Sequence, residues 1–183
     1  MVKATKITKE DEILLQTFSA NAAINSTSTT AMFFIMSVAA VLPPLYLFYG
    51  VNQMELYESG IFLGVSAIVG IYALIFAYKN TTQTYKPKVE RLREDAIARE
   101  VNREFADDKK VSKSEKEERI LFKKNEHAAK EAAAFAILFN NVLFTVITLV
   151  FSFFIFASFS ANINCVLSVL GAGGLVALFS TSK

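Results

Sequence analysis

KNTTQTYKPKVERLREDAIAREVNREFADDKKVSKSEKEERILFKKNEHAAKE occupies residues 79–131 and concentrates the charge of the chain. These residues hold 15 of the 19 Lys and Arg and 12 of the 17 Asp and Glu. Apolar residues make up 53% of the whole chain and lie in long runs on either side of this segment, an arrangement that a water-soluble core does not use. The sequence therefore predicts an integral membrane protein with one charged segment, called here the charged arm (residues 79–131).

Four runs outside the charged arm are long and apolar enough to cross a bilayer, which takes about 20 helical residues. The predicted spans are residues 31–49, 61–78, 132–159 and 163–179. The third run is longer than a perpendicular helix requires, so it is predicted to tilt or to begin before the bilayer. The short connector after it predicts an antiparallel hairpin of the third and fourth spans.

The distribution of Lys and Arg predicts the orientation. Four spans place both termini on the same side as the charged arm, and these segments hold 3, 15 and 1 Lys or Arg, while the opposite connectors hold none. Because Lys and Arg accumulate on the cytosolic side, both termini and the arm are predicted to be cytosolic. The sequons at Asn25 and Asn80 would then face away from the glycosylation machinery.

The predicted fold is an all-α membrane protein with four transmembrane helices and a cytosolic helical hairpin between the second and third. Its predicted divisions are an N-terminal arm with a short amphipathic helix (1–30), the first two spans (31–78), the charged hairpin (79–131), and the last two spans with a short cytosolic tail (132–183).

Two helices are predicted within the charged arm. Apolar residues recur at helical spacing over 88–105, a break is predicted at 106–111, and Ser112-Lys113-Ser114-Glu115 resembles a capping box that begins a helix running into the third span. Basic residues exceed acidic ones around the break and the second helix. They are candidates for contact with phosphate or anionic lipid, with an ordinary solvated face as the alternative: Lys109, Lys110, Lys113, Lys116, Arg119, Lys123 and Lys124.

Small and polar residues within the spans are candidates for helix packing. Gly60 and Gly64 form a G-x-x-x-G motif that Gly70 continues, and Asn140 and Asn141 are expected to face other helices because amides are costly in lipid. Pro43-Pro44 predicts a kink or early unwinding of the first span. The glycines at 171, 173 and 174 predict a close-packing or flexible patch.

Catalytic motifs are lacking in the sequence. His127 is the only histidine and has no metal-ligand spacing around it, and the single Cys165 lies in an apolar run. No Walker A or nucleophile-elbow motif occurs. The sequence therefore predicts no enzyme, metal site or cofactor.

Six strings carry a resemblance to a known family over essentially the whole chain. They are EDEILLQTFS (10–19), FAYKN (76–80), KVERLREDA (88–96), KEERILFKKNE (116–126), FNNVLF (139–144) and LFSTSK (178–183). In their order relative to four apolar spans they resemble the gamma subunits of the translocon-associated protein complex, also called signal sequence receptor gamma.

The resemblance implies an endoplasmic reticulum membrane protein of four spans, without known catalysis, in a complex with alpha, beta and delta subunits beside the Sec61 channel. It implies that the cytosolic portion engages the translating ribosome. It adds Arg91 and Arg93 to the basic candidates above.

Two functions of different class remain at this point. The first is a membrane scaffold that anchors or positions the ribosome at the channel, with its spans packed on partner subunits and in the lipid bilayer. The alternative is a small transporter or channel subunit with a polar pathway at Asn140 and Asn141 and the Pro43-Pro44 break.

Overall fold

The computed structural model describes residues 27–104 and 113–182, and every regular element in these two ranges is helical. The elements are α1 (Thr27–Gly50), α2 (Leu56–Glu104), α3 (Lys113–Val150), a π-helical turn (Phe151–Ile155) and α4 (Ala161–Thr181). The amphipathic helix predicted near the N-terminus and the break predicted at 106–111 lie outside the described residues.

Each of the four α-helices contains a segment long and apolar enough to cross a membrane. These segments contain the first, second and fourth predicted spans and most of the third, in the predicted order. The described residues thus confirm the all-α class and four helices able to span a membrane. Large apolar side chains such as Ile61, Ile68 and Val142 are exposed on the outer surface of the bundle. Such side chains are suited to lipid, and together with the apolar helices they describe a multi-pass membrane protein.

α2 runs without a break from the second span into the charged arm. Its 49 residues extend about 74 Å, far more than the roughly 30 Å of a hydrocarbon core. The helix predicted to begin at Lys88 is therefore the end of a longer helix, and Pro87 lies inside it. α3 likewise joins the arm to the third span in one helix, which confirms the prediction that the second arm helix continues into that span.

α1 remains helical through Pro43 and Pro44 and ends at Gly50. Early unwinding, one of the two outcomes predicted for this pair, does not occur. Each proline removes one backbone donor, but Pro44 is buried against neighbouring helices, and packing of this kind lets spanning helices tolerate proline.

The four helices meet around Gly70 in the middle of the second span. A Cβ atom added to Gly70 would lie 3.1 Å from Val169, 3.2 Å from Val41 and 3.6 Å from Phe144, which belong to α4, α1 and α3. Val41, Phe144 and Val169 are themselves buried in the core. The missing side chain of Gly70 thus lets the three other helices approach α2 at one level.

The third span ends in a π-helical turn, earlier than the predicted limit at residue 159. In this turn the backbone N–H of Phe156 donates to the carbonyl of Phe151 at 2.7 Å. α4 then begins at Ala161. The predicted antiparallel hairpin of the third and fourth spans is confirmed, with a connector at residues 156–160.

Candidate interaction surface on the charged arm

The two helices of the charged arm pack through small apolar side chains. Val89 on α2 and Ala128 and Ala132 on α3 are buried together, and the half-buried Tyr85 packs against them. Alanines at the contact let two helix backbones approach closely, so the arm is built as a packed helix pair rather than as two separate helices. Ile97 extends the buried side of α2 toward the end of the arm.

Arg93 and Glu131 join the two helices at the side of this apolar strip. Arg93 Nε donates to Glu131 Oε2 at 3.1 Å, and Nη2 donates to Oε1 at 2.9 Å. This two-bond geometry matches the planar guanidinium fork to the carboxylate and fixes the relative position of the helices. Because both side chains are about half exposed, solvent screens the attraction and the pair specifies register more than it adds stability.

Among the arm residues whose side chains the structure describes, Lys86 is the buried cation. Only 2% of the residue is exposed, and its Nζ lies 3.5 Å from Glu90 Oε1 one turn along α2. Within the described ranges, no atom forms a hydrogen bond with this Nζ. Burial of an ammonium group costs several kcal/mol of desolvation free energy unless its partners replace water. Lys86 therefore reduces the stability of the base of the arm.

The nine predicted basic candidates differ in their surroundings. Arg91 is exposed, whereas Arg93 is engaged by Glu131. Lys123 and Lys124 are half-buried. Lys113, Lys116 and Arg119 belong to the first turns of α3, and Lys109 and Lys110 lie outside the described residues.

Charge in the arm is unevenly distributed along its length. Residues 109–124 hold seven Lys and Arg against three Glu. Positions 116, 119 and 123 are separated by three and four residues, which places them on one side of α3. Over residues 90–124 the basic excess is therefore confined to this segment, because residues 90–108 hold seven Asp and Glu against four Lys and Arg. The segment can attract polyanions through a salt-sensitive interaction.

The packing candidates within the spans also divide into two groups. Asn140 Nδ2 donates to Thr81 Oγ1 at 3.0 Å and to the carbonyl of Ala136 at 2.8 Å. The Tyr78 hydroxyl donates to Asn141 Oδ1, so both amides join α3 to α2. Gly70 is enclosed as described above, whereas a Cβ atom on Gly60 or Gly64 would meet nothing within 4 Å.

Comparison with known proteins decides the family. The family model described as "Translocon-associated protein, gamma subunit (TRAP-gamma)" matches residues 10–182. The chain belongs to this family. A relative named translocon-associated protein subunit gamma, from Dictyostelium discoideum, is 29% identical over 152 residues, which cover 83% of this chain and 86% of the relative. The match includes both arm helices, so the arm belongs to the translocon-associated protein gamma-subunit family as much as the spans do.

Two features of the charged arm are not predicted by the sequence. Glu131 on α3 forms an ion pair with Arg93 on α2. Lys86 is buried, which is unusual for a lysine. Opposite charges near the two ends of a predicted hairpin were the only signal for the first, and they do not fix which residues face each other. No local signal indicated the second, because burial depends on the partner helix.

Proposed function

We propose that this chain is a non-catalytic subunit of the translocon-associated protein complex in the endoplasmic reticulum membrane. Its charged arm anchors or positions the translating ribosome at the Sec61 channel during co-translational translocation. Its spans pack against the alpha, beta and delta subunits and the bilayer. Family membership over residues 10–182 and the construction of the arm support this proposal.

The observation that carries the proposal is the continuity of the arm with the spans. α2 and α3 leave the bundle as uninterrupted helices and stay packed together through Val89, Ala128 and the Arg93–Glu131 pair. α2 continues about 38 Å beyond Lys79 at 1.5 Å per residue. Packing at the base of the pair gives the arm a fixed direction relative to the spans, as a positioning element requires.

The excess of Lys and Arg supports a cytosolic arm, where ribosomes are found. The connectors on the opposite side of the membrane contain no Lys or Arg. Ribosomal RNA is a polyanion, and Lys and Arg that neutralise its phosphates release counterions. The proposed contact residues are Arg91, Arg93, Lys109, Lys110, Lys113, Lys116, Arg119, Lys123 and Lys124.

The open glycines are proposed as contacts for a partner subunit. Gly60 and Gly64 lie on the outside of α2 with free space beside them, so a second helix can approach the backbone there. Gly70, Asn140 and Asn141 serve packing within this chain.

Salt-dependent co-sedimentation of the purified protein with ribosomes tests the proposal. Replacing Lys116, Arg119, Lys123 and Lys124 by Glu is expected to weaken binding more than about tenfold at physiological salt, because four phosphate contacts are replaced by repulsion. Circular dichroism of the variant checks that its helices are retained.

A variant with Lys3, Lys6, Lys9 and Lys183 replaced by Glu is the matched control, because it changes the net charge by the same amount at other places. It is expected to bind nearly as well as the original chain. Equal loss in both variants would show a nonspecific charge effect, and unchanged binding of the arm variant would contradict the assigned surface.

A further inference from the structure

Three aromatic rings form a ladder at the base of the charged arm. Tyr85 of α2 stacks on Phe135 of α3 with ring centroids 4.1 Å apart and planes at 14°. Phe135 in turn stacks on Phe139, one turn further along α3, with centroids 5.7 Å apart and planes at 11°. Two of the three rings are accessible from outside the bundle, since Phe135 is 38% exposed and Phe139 is 47% exposed.

The ladder continues the outer apolar stripe of α3. Phe135, Phe139, Val142, Val146 and Val150 are all exposed, and they recur every three or four residues along one side of the helix. Such a stripe on a spanning helix is suited to contact with lipid. The ladder is its end nearest the arm.

The stripe becomes charged within a single turn beyond the ladder. Glu131 lies four residues before Phe135, on the same side of α3, and is paired with Arg93. No charged residue occurs from Ala132 to Val150 on α3, so Phe135 is among the last apolar residues before water. The change from Phe135 to Glu131 spans about 6 Å along the helix axis.

The sequence of α2 gives an independent estimate of the depth of the ladder in the membrane. Its uncharged run from Ser59 to Tyr78 corresponds to about 30 Å, the thickness of the hydrocarbon core. Thr81, bonded to Asn140, and Tyr85, stacked on Phe135, then lie about 5 and 10 Å beyond that limit. This is the zone of glycerol and headgroups, where amphipathic aromatic side chains collect.

We propose that the ladder of Tyr85, Phe135 and Phe139 is a phospholipid-binding surface in the headgroup zone, which fixes the depth and angle at which the arm leaves the bilayer. Its occupant is the glycerol and headgroup region of bilayer phospholipids. The Arg93–Glu131 pair lies immediately on the water side. The proposal is independent of ribosome binding, because it follows from the lipid-facing stripe and the level at which charge begins.

The chain contains no Trp, so one introduced Trp reports its own depth. Phe135→Trp and Phe139→Trp are placed separately in phosphatidylcholine nanodiscs that carry either a nitroxide on the headgroup or bromines in the middle of the acyl chains. Both variants are expected to lose most of their emission to the headgroup nitroxide and much less to the bromines. Two variants are used so that misfolding of one leaves the other as a test.

Two reference positions lie on the same helix. Val142→Trp is seven residues deeper than Phe135 and exposed, and it is expected to be quenched mainly by the bromines. Phe122→Trp is exposed far out on the arm, and only aqueous iodide is expected to quench it.

Three results would overturn the proposal. If Trp at 135 and 139 is quenched like Trp at 122, the ladder lies in water. If it is quenched like Trp at 142, the ladder lies in the hydrocarbon core. Protection from both lipid quenchers and from iodide would show that a protein surface covers the ladder.

Discussion

At Lys86, near the base of the arm, the protein buries an ammonium group. Its nearest opposite charge is Glu90 at 3.5 Å, and within the described residues no hydrogen bond satisfies Nζ. Desolvation of such a group commonly exceeds the attraction of its pair. Because the Glu90 side chain is 20% exposed, its carboxylate keeps contact with water when Lys86 is replaced by an apolar side chain. The buried ammonium group of Lys86 therefore lowers the free energy of unfolding relative to an apolar side chain at this position.

Lys86→Met is expected to raise the apparent unfolding temperature in detergent, with a gain in the free energy of unfolding on the order of 1 kcal/mol. Differential scanning fluorimetry measures the shift. Lys130→Met is the control, because the Lys130 side chain is 74% exposed and pairs with Glu126 at 2.7 Å in solvent, where little change is expected. A clear loss of stability in Lys86→Met alone would contradict this interpretation.

Two glycines of α4 differ in whether the helix packing leaves room for a Cβ atom. A Cβ atom on Gly171 would lie 2.5 Å from the Phe151 ring, whereas one on Gly174 would meet nothing within 4 Å. Gly171→Ala is expected to lower the apparent unfolding temperature because the ring must move, and Gly174→Ala is expected to leave it nearly unchanged. Equal tolerance at both positions would show that Phe151 is free to move away.

At the scale of elements, α4 fits the π-helical turn that ends the third span. A π-helical turn shifts the backbone hydrogen bonds by one residue, and here the carbonyl of Ser152 accepts from Asn164 Nδ2 at 3.0 Å. Ser168 Oγ donates to Asn164 Oδ1 at 2.8 Å and holds the amide in place. The hairpin of the last two spans is thus joined by side-chain bonds as well as by its short connector.

Asn164→Leu is expected to destabilise the protein by about 1–3 kcal/mol, because the buried Ser152 carbonyl loses its donor. Thermal unfolding in detergent measures the effect. Asn162→Leu, in the first turn of α4 and only half-buried, is the matched control and is expected to change stability little. An effect at Asn164 no larger than that at Asn162 would contradict the role assigned to its amide.

Helical elements were predictable from the sequence where local patterns were strong. The apolar runs predicted four spans, and the capping pattern near Ser112 predicted a helix that continues into the third span. The continuity of α2 was not predictable, because Thr81, Thr82, Thr84 and Pro87 all disfavour a helix locally. Packing against α3, through Asn140 and Phe135, overrides that preference.

The candidate surface was predictable in its charge and not in its geometry. The basic excess at 109–124 is visible in the sequence. Which residues face the partner helix depends on the register of the two arm helices, and alanine-rich contacts such as Ala128 and Ala132 allow several registers. Arg93 consequently looked equivalent to Arg91, although only Arg93 is paired with Glu131.

For the whole molecule, the structure describes a bundle of four spans with a helix pair extending from it. The proposed orientation places the arm and both termini in the cytosol. Neither Asn25 nor Asn80 is then expected to carry a glycan, and Asn80 Nδ2 lies 3.5 Å from Ser180 Oγ. An endoglycosidase-sensitive mass shift that disappears on Asn25→Gln or Asn80→Gln would contradict this orientation.

Site-specific photo-cross-linking in native membranes tests the central claim that the arm contacts the ribosome. p-Benzoylphenylalanine replaces either Phe122, exposed on the arm, or Tyr57, exposed at the opposite end of α2. Both replacements keep an aromatic side chain. Ultraviolet-dependent adducts with ribosomal protein or RNA are expected from position 122, and none from position 57. Ribosomal adducts from position 57, or none from position 122 in membranes with bound ribosomes, would contradict it.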